Sequence, residues 1–293
     1  MKKIAFVAVA AAALLCAAGE REPLKVLMIG NSFSISVTRQ MPQVAESMGL
    51  RLDLASLYIG GCSLERHFDN CEKGKLDTDF KPYKMTRFVD GAKVEERKAN
   101  IPEMLSAAKW DIVTIQQASH FSWDVKTFRP FADGLIDNYI RRLAPQAKVV
   151  VQETWSYTPW DGRLAKWGFD QNEMYARLHR AYSEFAASRK LRVIPMGTAV
   201  QLWRKRLPVA YTESSFGGDV CGSAKFKKRA DGEWTHQGDV FHLNRSGEYL
   251  QALVWTATLF GADVTKCPYA PSWMDAAVAT KMKEVAMEAV QRQ

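Results

Sequence analysis

Apolar positions along the chain form two kinds of run. Five short segments are apolar almost throughout and close on turn residues or polar amides: PLKVLMIG ending at Gly30, LDLASLYIG ending at Gly60, DIVTIQQ at 111–117, AKVVVQE around 150, and LRVIPMG at 191–197. Between them, apolar residues recur at helical spacing. A helix is expected from about Met41 to Met48 with Gly49 as its stop, and another opened by Asn100. A third carries Met174, Leu178, Ala181, Tyr182 and Phe185 on one face, and a fourth runs from Arg245 to Phe260 with Leu250, Leu253, Val254 and Ala257 on one side and Gly261 as its stop. Strands that are apolar on both faces, alternating with helices, predict a parallel sheet covered on both sides. Ligands of such sheets bind outside the carboxyl ends of the strands. MIGNSFS, YIGGCS, TIQQAS and VQETW all occupy that edge.

No repeat, low-complexity tract or Pro/Gly/Ser linker divides the sequence, so one domain is expected over 19–293, with a core of about 24–261 and a helical extension at its C-terminus. The first residues read differently. Two lysines, an apolar stretch from Ile4 to Leu15 and small residues up to Ala18 have the layout of a secretory signal peptide over 1–18. The stretch is shorter than the roughly 20 residues a membrane span needs, so no stable span is expected. A lipid anchor on Cys16 is the lesser alternative, because Leu15 before it is bulky. The expected location is therefore periplasmic or secreted.

Removing Lys2 and Lys3 with the leader, which holds no acid, lowers the formal charge from +8 to +6. The densest basic clusters, WRKR at 203–206 and KFKKR at 225–229, lack an interleaved aromatic stripe and read as solvated surface, which excludes nucleic acid as an expected partner. Four cysteines remain, Cys62, Cys71, Cys221 and Cys267. In an oxidising compartment they are expected to pair; Cys62 with Cys71 would close a short loop, and all three connectivities stay open. Their spacings do not resemble a zinc site, and no metal or other cofactor is expected.

A serine hydroxyl becomes a nucleophile only beside a base that a third group orients. Ser32 stands where a strand leaves the core. Of the five histidines, His179 falls in a predicted helix and reads as a surface or packing residue, and His67 reads as a surface helix residue close to the second strand end. His242 lies in GDVFHLN just before the last amphipathic helix, with Asp239 three residues upstream. That spacing lets a carboxylate meet one imidazole nitrogen while the other faces outward. Taken alone, Asp239 is equally an Asx-turn or capping acid, and His242 a satisfied, partly buried histidine.

Strand-GNSFS near the start, a Gly-Gly turn after the second strand, a polar turn after the third and D-x-x-H before the final helix together resemble the SGNH or GDSL hydrolase superfamily, in particular its bacterial branch with GNSF in place of GDS. The resemblance runs from about Leu24 to Gly261, with GNSFS and DVFHLNRSGEYL as its specific ends. It implies a three-layer α/β/α, flavodoxin-like fold with a central parallel sheet of about five strands. It also implies a Ser32–His242–Asp239 triad, with Asn31 shaping the turn, and an oxyanion hole from the N–H of Ser32, the N–H of Gly61 and a side-chain amide. The usual Gly-x-Asn-Asp after the third strand is replaced here by IQQASH, so the amide would come from Gln116, with Gln117 as the other candidate; adjacent strand residues point to opposite faces, which makes one of the two structural. Ser119 and His120 would line the rim.

The function expected from these residues is an esterase that removes ester groups, O-acetyl above all, from a small molecule or glycan through an acyl-enzyme. Trp123, Trp155, Tyr157 and Trp160 lie just past strand ends and suit either sugar stacking or packing. The Gly-, Lys- and Asp-rich segment Thr212–Gly238 ends beside His242, where binding loops tend to lie. The alternative is a carbohydrate-binding or scaffold protein that keeps the fold without catalysis, and the altered third block is what favours it. Substrate identity and oligomeric state are not encoded legibly.

Overall fold

The computed structural model of the chain describes residues 22–207, 218–223, 225–232 and 234–293. The leader expected over 1–18, with Cys16, lies outside the described residues, as does part of the Thr212–Gly238 segment. A seven-stranded sheet has the order β4-β3-β2-β1-β5-β6-β7. Its strands are β1 (Leu24–Gly30), β2 (Leu52–Tyr58), β3 (Tyr83–Val89), β4 (Ala92–Ala99), β5 (Ile112–Ile115), β6 (Lys148–Gln152) and β7 (Arg192–Ile194). The five parallel strands, β2-β1-β5-β6-β7, are those the apolar runs predict, and in chain order they read 2-1-3-4-5, the flavodoxin-like order.

Side-chain alternation explains why these strands have no polar face. In β1, Val26 and Met28 join one buried cluster while Leu27 and Ile29 join the other; Leu54 and Leu57 of β2 divide the same way. Helices cover both faces. The first cluster takes helix Met41–Ser47 and helix Arg245–Phe260, and the second takes helix Leu64–Leu76 and helix Ile101–Ser106. The result is the three-layer α/β/α arrangement. β7 is shorter than the 191–197 run, because Pro195 carries no N–H for the ladder and helix Met196–Lys205 starts at once.

The antiparallel hairpin β3–β4 extends the sheet beyond the five predicted strands. Its signal was present as Asp-Gly: Asp90 and Gly91 both have positive φ, 45° and 84°, as the tight two-residue hairpin turn requires. The hairpin escapes the apolar pattern because β4, AKVEERKA, is an edge strand whose charges keep it in water. At the C-terminus, helix Ala276–Gln291 packs into the first cluster through Met282, Val285 and Ala289, so the extension is part of the core.

Two expectations are corrected. In WRKR, Trp203 and Arg204 are buried, because they lie on the inner side of helix Met196–Lys205 and Arg204 pairs with buried Asp219 at 3.2 Å. The four described cysteines are free thiols, all buried. Cys221 Sγ donates to the Phe241 carbonyl at 3.3 Å, Cys267 Sγ lies 3.4 Å from Ser47 Oγ, and Cys62 Sγ lies 3.5 Å from His67 Nδ1.

Candidate active site

The chain leaves β1 through a turn that Asn31 organises. Its Oδ1 accepts from the N–H of Phe33 at 3.0 Å, capping helix Ser32–Ile35, and its Nδ2 donates to the carbonyl of Cys62 at 3.0 Å. The first bond orients the turn that carries Ser32, and the second ties it to the turn after β2. Phe33 is held in turn: its carbonyl accepts from the amides of Gln152 and Gln251, each at 2.8 Å, and its ring stacks on Trp155 with centroids 4.1 Å apart. Ser32 is thereby presented at the carboxyl edge of β1.

His242 Nε2 stands 2.9 Å from Ser32 Oγ, although the two residues are 210 positions apart. His242 Nδ1 lies 2.6 Å from Asp239 Oδ2. With Nδ1–H directed at the carboxylate, Nε2 is left with its lone pair toward the hydroxyl. Asp239 Oδ1 also accepts from the N–H groups of His242 and Phe241, at 2.8 and 2.9 Å. It is therefore both an Asx-turn acid and the partner of the imidazole. Partial burial pushes the Asp239 pKa up, but the backbone N–H groups of His242 and Phe241 and the imidazole outweigh that and hold it below the ordinary carboxylate range.

The histidine loop is pinned from two sides. Trp155 Nε1 donates to the Phe241 carbonyl at 2.7 Å, so this one side chain joins the Ser32 turn to the His242 loop. Thr158, beyond it, donates its N–H and hydroxyl to the Val240 carbonyl, each at 3.0 Å. On the other side the N–H of Gly222 donates to the His242 carbonyl at 2.7 Å and that of Ser223 to the Asp239 carbonyl at 2.8 Å. Gly222 has φ +75°, and a Cβ there would stand 2.8 Å from the Asp239 carbonyl oxygen, so glycine is required.

A cavity of ≈ 360 Å³ opens over Ser32 and His242, with Gly60 and Gly61 on its wall. Gly61 has φ +61°, a conformation that suits glycine. Among the described residues the N–H groups of Ser32 and Gly61 have no partner in the chain, and so remain as donors at the cavity. Gln116 is elsewhere: it is buried, and its Nε2 donates to Asn31 Oδ1 at 2.7 Å. Because the Phe33 N–H fixes which atom of Asn31 is the oxygen, the Gln116 amide has only one workable orientation. Gln117 is structural as well, with Oε1 accepting from the N–H of Leu64 and of Ala118 and Nε2 donating to Thr127. Both glutamines thus brace turns, and from this block Ser119 and His120 line the cavity instead. Ser119 Oγ lies 2.8 Å from Tyr157 Oη.

His67 is fully buried beneath the Gly60–Cys62 turn, contrary to its expected surface position, with Nδ1 2.9 Å from Tyr83 Oη. Burial, and the nearby Arg66 charge, push its pKa down to about 3. Burial likewise pushes the Cys62 thiol up to about 12, against the opposing pull of Arg66, so neither group is poised for proton transfer. His179 is also more than a packing residue: its Nδ1 lies 2.7 Å from Glu153 Oε1, and the buried Glu153 carboxylate accepts from the N–H of Thr198 at 2.7 Å.

Of the aromatic residues expected at the rim, Tyr157 lines the cavity while Trp155 is wholly buried and Trp123 packs with Trp167 and Phe169. Phe241 and Tyr58 also reach the wall. Arg163, absent from the expectations, is there too. A lone arginine in a helix has no local signature, and neither does the Trp155 bridge; Gly222 lies in a Gly-containing turn beside the histidine loop, a weak signal that was available.

The family model described as Domain of unknown function (DUF4886) matches residues 25–219. Among solved structures, a DUF4886 family protein from Bacteroides uniformis is similar over 92% of this chain and 95% of its own, at 28% identity and TM-score 0.76. A candidate SGNH hydrolase from Slackia heliotrinireducens matches 81% of this chain and 100% of its own, at 19% identity and TM-score 0.49. A lipase/acylhydrolase from Enterococcus faecalis matches 81% of this chain and 95% of its own, at 17% identity and TM-score 0.45. No curated protein matches.

Proposed function

The chain belongs to the DUF4886 family, and from that premise we propose that it is an SGNH-type serine esterase, exported by its leader, that hydrolyses O-acetyl and related esters on a carbohydrate or glycan. The observation that carries the reading is the continuous Ser32–His242–Asp239 chain, 2.9 and 2.6 Å long at its two links, at the carboxyl edge of a parallel sheet. Ser32 Oγ attacks the ester carbonyl and forms the C–O bond as its proton passes to His242 Nε2. The imidazolium that results is stabilised by Asp239, already held ionised.

The carbonyl oxygen becomes an anion in that step. The unspent N–H groups of Ser32 and Gly61 are the donors available to it, and a fixed donor of this kind is worth about 3–4 kcal/mol. His242 then gives its proton to the leaving alcohol, which departs and leaves an acyl-Ser32 ester. Water attacks that ester, its proton goes to His242 Nε2 and from there to Ser32 Oγ as the acyl carbon–Oγ bond breaks, and the acid and free Ser32 are released. Every proton is carried by this chain's own residues.

The glycan part of the reading rests on the aromatic wall of Tyr58, Tyr157 and Phe241, and export rests on the residues 1–18 pattern. The assembled triad supports catalysis over the carbohydrate-binding or scaffold alternative. The test is turnover of 4-nitrophenyl acetate by the chain without residues 1–18, with Ser32→Ala alongside. Ser32→Ala is expected to lower kcat by about 10³- to 10⁶-fold. Undiminished turnover in that variant refutes the reading.

A further inference from the structure

Among the described residues, Arg163 is the one lysine or arginine on the wall of the nucleophile's cavity, and it is built in. Its Nε donates to Asp161 Oδ1 at 2.9 Å and its Nη2 pairs with Asp161 Oδ2, and Asp161 is buried. The guanidinium carbon lies 4.1 Å from the Tyr157 ring centroid and 4.4 Å from that of Phe241, both cavity residues. A guanidinium gripped by a carboxylate and seated against two rings has given up its rotational freedom before any ligand arrives. Of its five N–H groups two are spent on Asp161, which leaves three.

Resting on the esterase reading above, we infer that Arg163 is a specificity residue that receives a carboxylate on the alcohol part of the substrate, so that the ester removed is carried by an acidic sugar. A planar monoanion matches the planar edge of a guanidinium, and two parallel charge-assisted bonds fix its orientation. A dianion such as phosphate is disfavoured by the two carboxylates already close by. Asp161 grips the guanidinium directly, and Asp239 acts on it through space. His120, the neighbour on the same wall, does not compete as a cation: burial, and then the Arg163 charge, lower its pKa. The acyl group faces Ser32 and the Gly61 turn, so the acid sits on the departing side.

The experiment separates this inference from the esterase reading by using equilibrium binding to Ser32→Ala, which needs no turnover. Methyl glucuronide and methyl galacturonide are titrated calorimetrically against the matching methyl glucoside and methyl galactoside. At least one uronide is expected to bind about 10- to 100-fold more tightly than its hexoside, the worth of a charge-assisted pair in a half-buried site. Adding Arg163→Gln together with Asp161→Asn, which avoids stranding a buried carboxylate, is expected to bring that ratio to near one. Equal binding of acid and neutral sugars overturns the inference, and so does a preference that survives in the triple variant. Absence of 4-nitrophenyl acetate turnover in the wild-type chain, with the uronide preference intact, would instead overturn the esterase reading and leave Arg163 as the carboxylate-binding residue of an acidic-sugar site.

Discussion

Replacing Asn31 tests how the nucleophile turn is held. Asn31→Ala removes three hydrogen bonds at once: the cap on Phe33 N–H, the acceptor of the Gln116 amide and the donor to the Cys62 carbonyl. Loss of a helix cap costs about 1 kcal/mol. The Cys62 carbonyl and the Gln116 amide are left buried without partners, at about 1–3 kcal/mol each. Gln116 Oε1 already lacks a partner, so its amide has nothing to fall back on. The sum is about 3–7 kcal/mol, a large share of the roughly 5–15 kcal/mol that a domain has. Asn31→Asp keeps both acceptor bonds but sets a buried carboxylate oxygen against the Cys62 carbonyl in place of the donor, so a loss of at least about 1–3 kcal/mol is expected. Urea unfolding reads these values as a shift in midpoint at constant m. In the same variants kcat for 4-nitrophenyl acetate should fall at least about tenfold, because the Asn31–Cys62 bond sets the Ser32 N–H against the Gly61 N–H. An Asn31→Ala chain within about 0.5 kcal/mol of wild type, with wild-type kcat, would refute the reasoning.

Trp155→Phe keeps the stack on Phe33 and deletes the indole donor to the Phe241 carbonyl, which keeps only the weaker Cys221 thiol; a stability loss of about 0.5–1.5 kcal/mol and a lower kcat are expected from thermal unfolding and steady-state assays. The Glu153 carboxylate raises the His179 pKa, so the pair stabilises the fold fully below the unfolded histidine value of about 6.5 and loses that contribution as pH rises through the folded value. The midpoint difference between wild type and His179→Gln should therefore be largest in acid and shrink toward alkaline pH; a difference that grows with pH would contradict the assignment. In the chain without residues 1–18, denaturation under non-reducing conditions should expose four titratable thiols, from Cys62, Cys71, Cys221 and Cys267, whereas the native protein should react slowly.

The five parallel strands were legible because burial on both faces leaves an uninterrupted apolar run, as in Val26 to Ile29, that closes on turn residues or polar amides. Hairpin β3–β4 was not, since its edge strand is charged and only Asp90-Gly91 marks it. At the site, Ser32, Asp239, His242 and Gly61 stand where strand ends and a local D-x-x-H spacing put them, and these are short-range features. Gln116 misled because its position after β5 is right while its amide is taken by Asn31, an interaction across 85 residues. His67 misled for a related reason: helical spacing says which face it is on, and only the tertiary fold brings Tyr83 over that face. Trp155 acts through Phe33 and Phe241, far away in sequence, and Arg163 reaches the site only because the fold brings Phe241 against it, so no local pattern announces their roles.

The central claim is that Ser32 is a nucleophile activated by His242, and covalent capture tests it most directly. The chain without residues 1–18 is exposed to a fluorophosphonate, and the adduct is located by peptide mass spectrometry. A single phosphonyl group on Ser32, absent from Ser32→Ala and strongly slowed in His242→Ala, is the expected result. Labelling spread over other serines, or none at Ser32 in the native chain, would contradict the account.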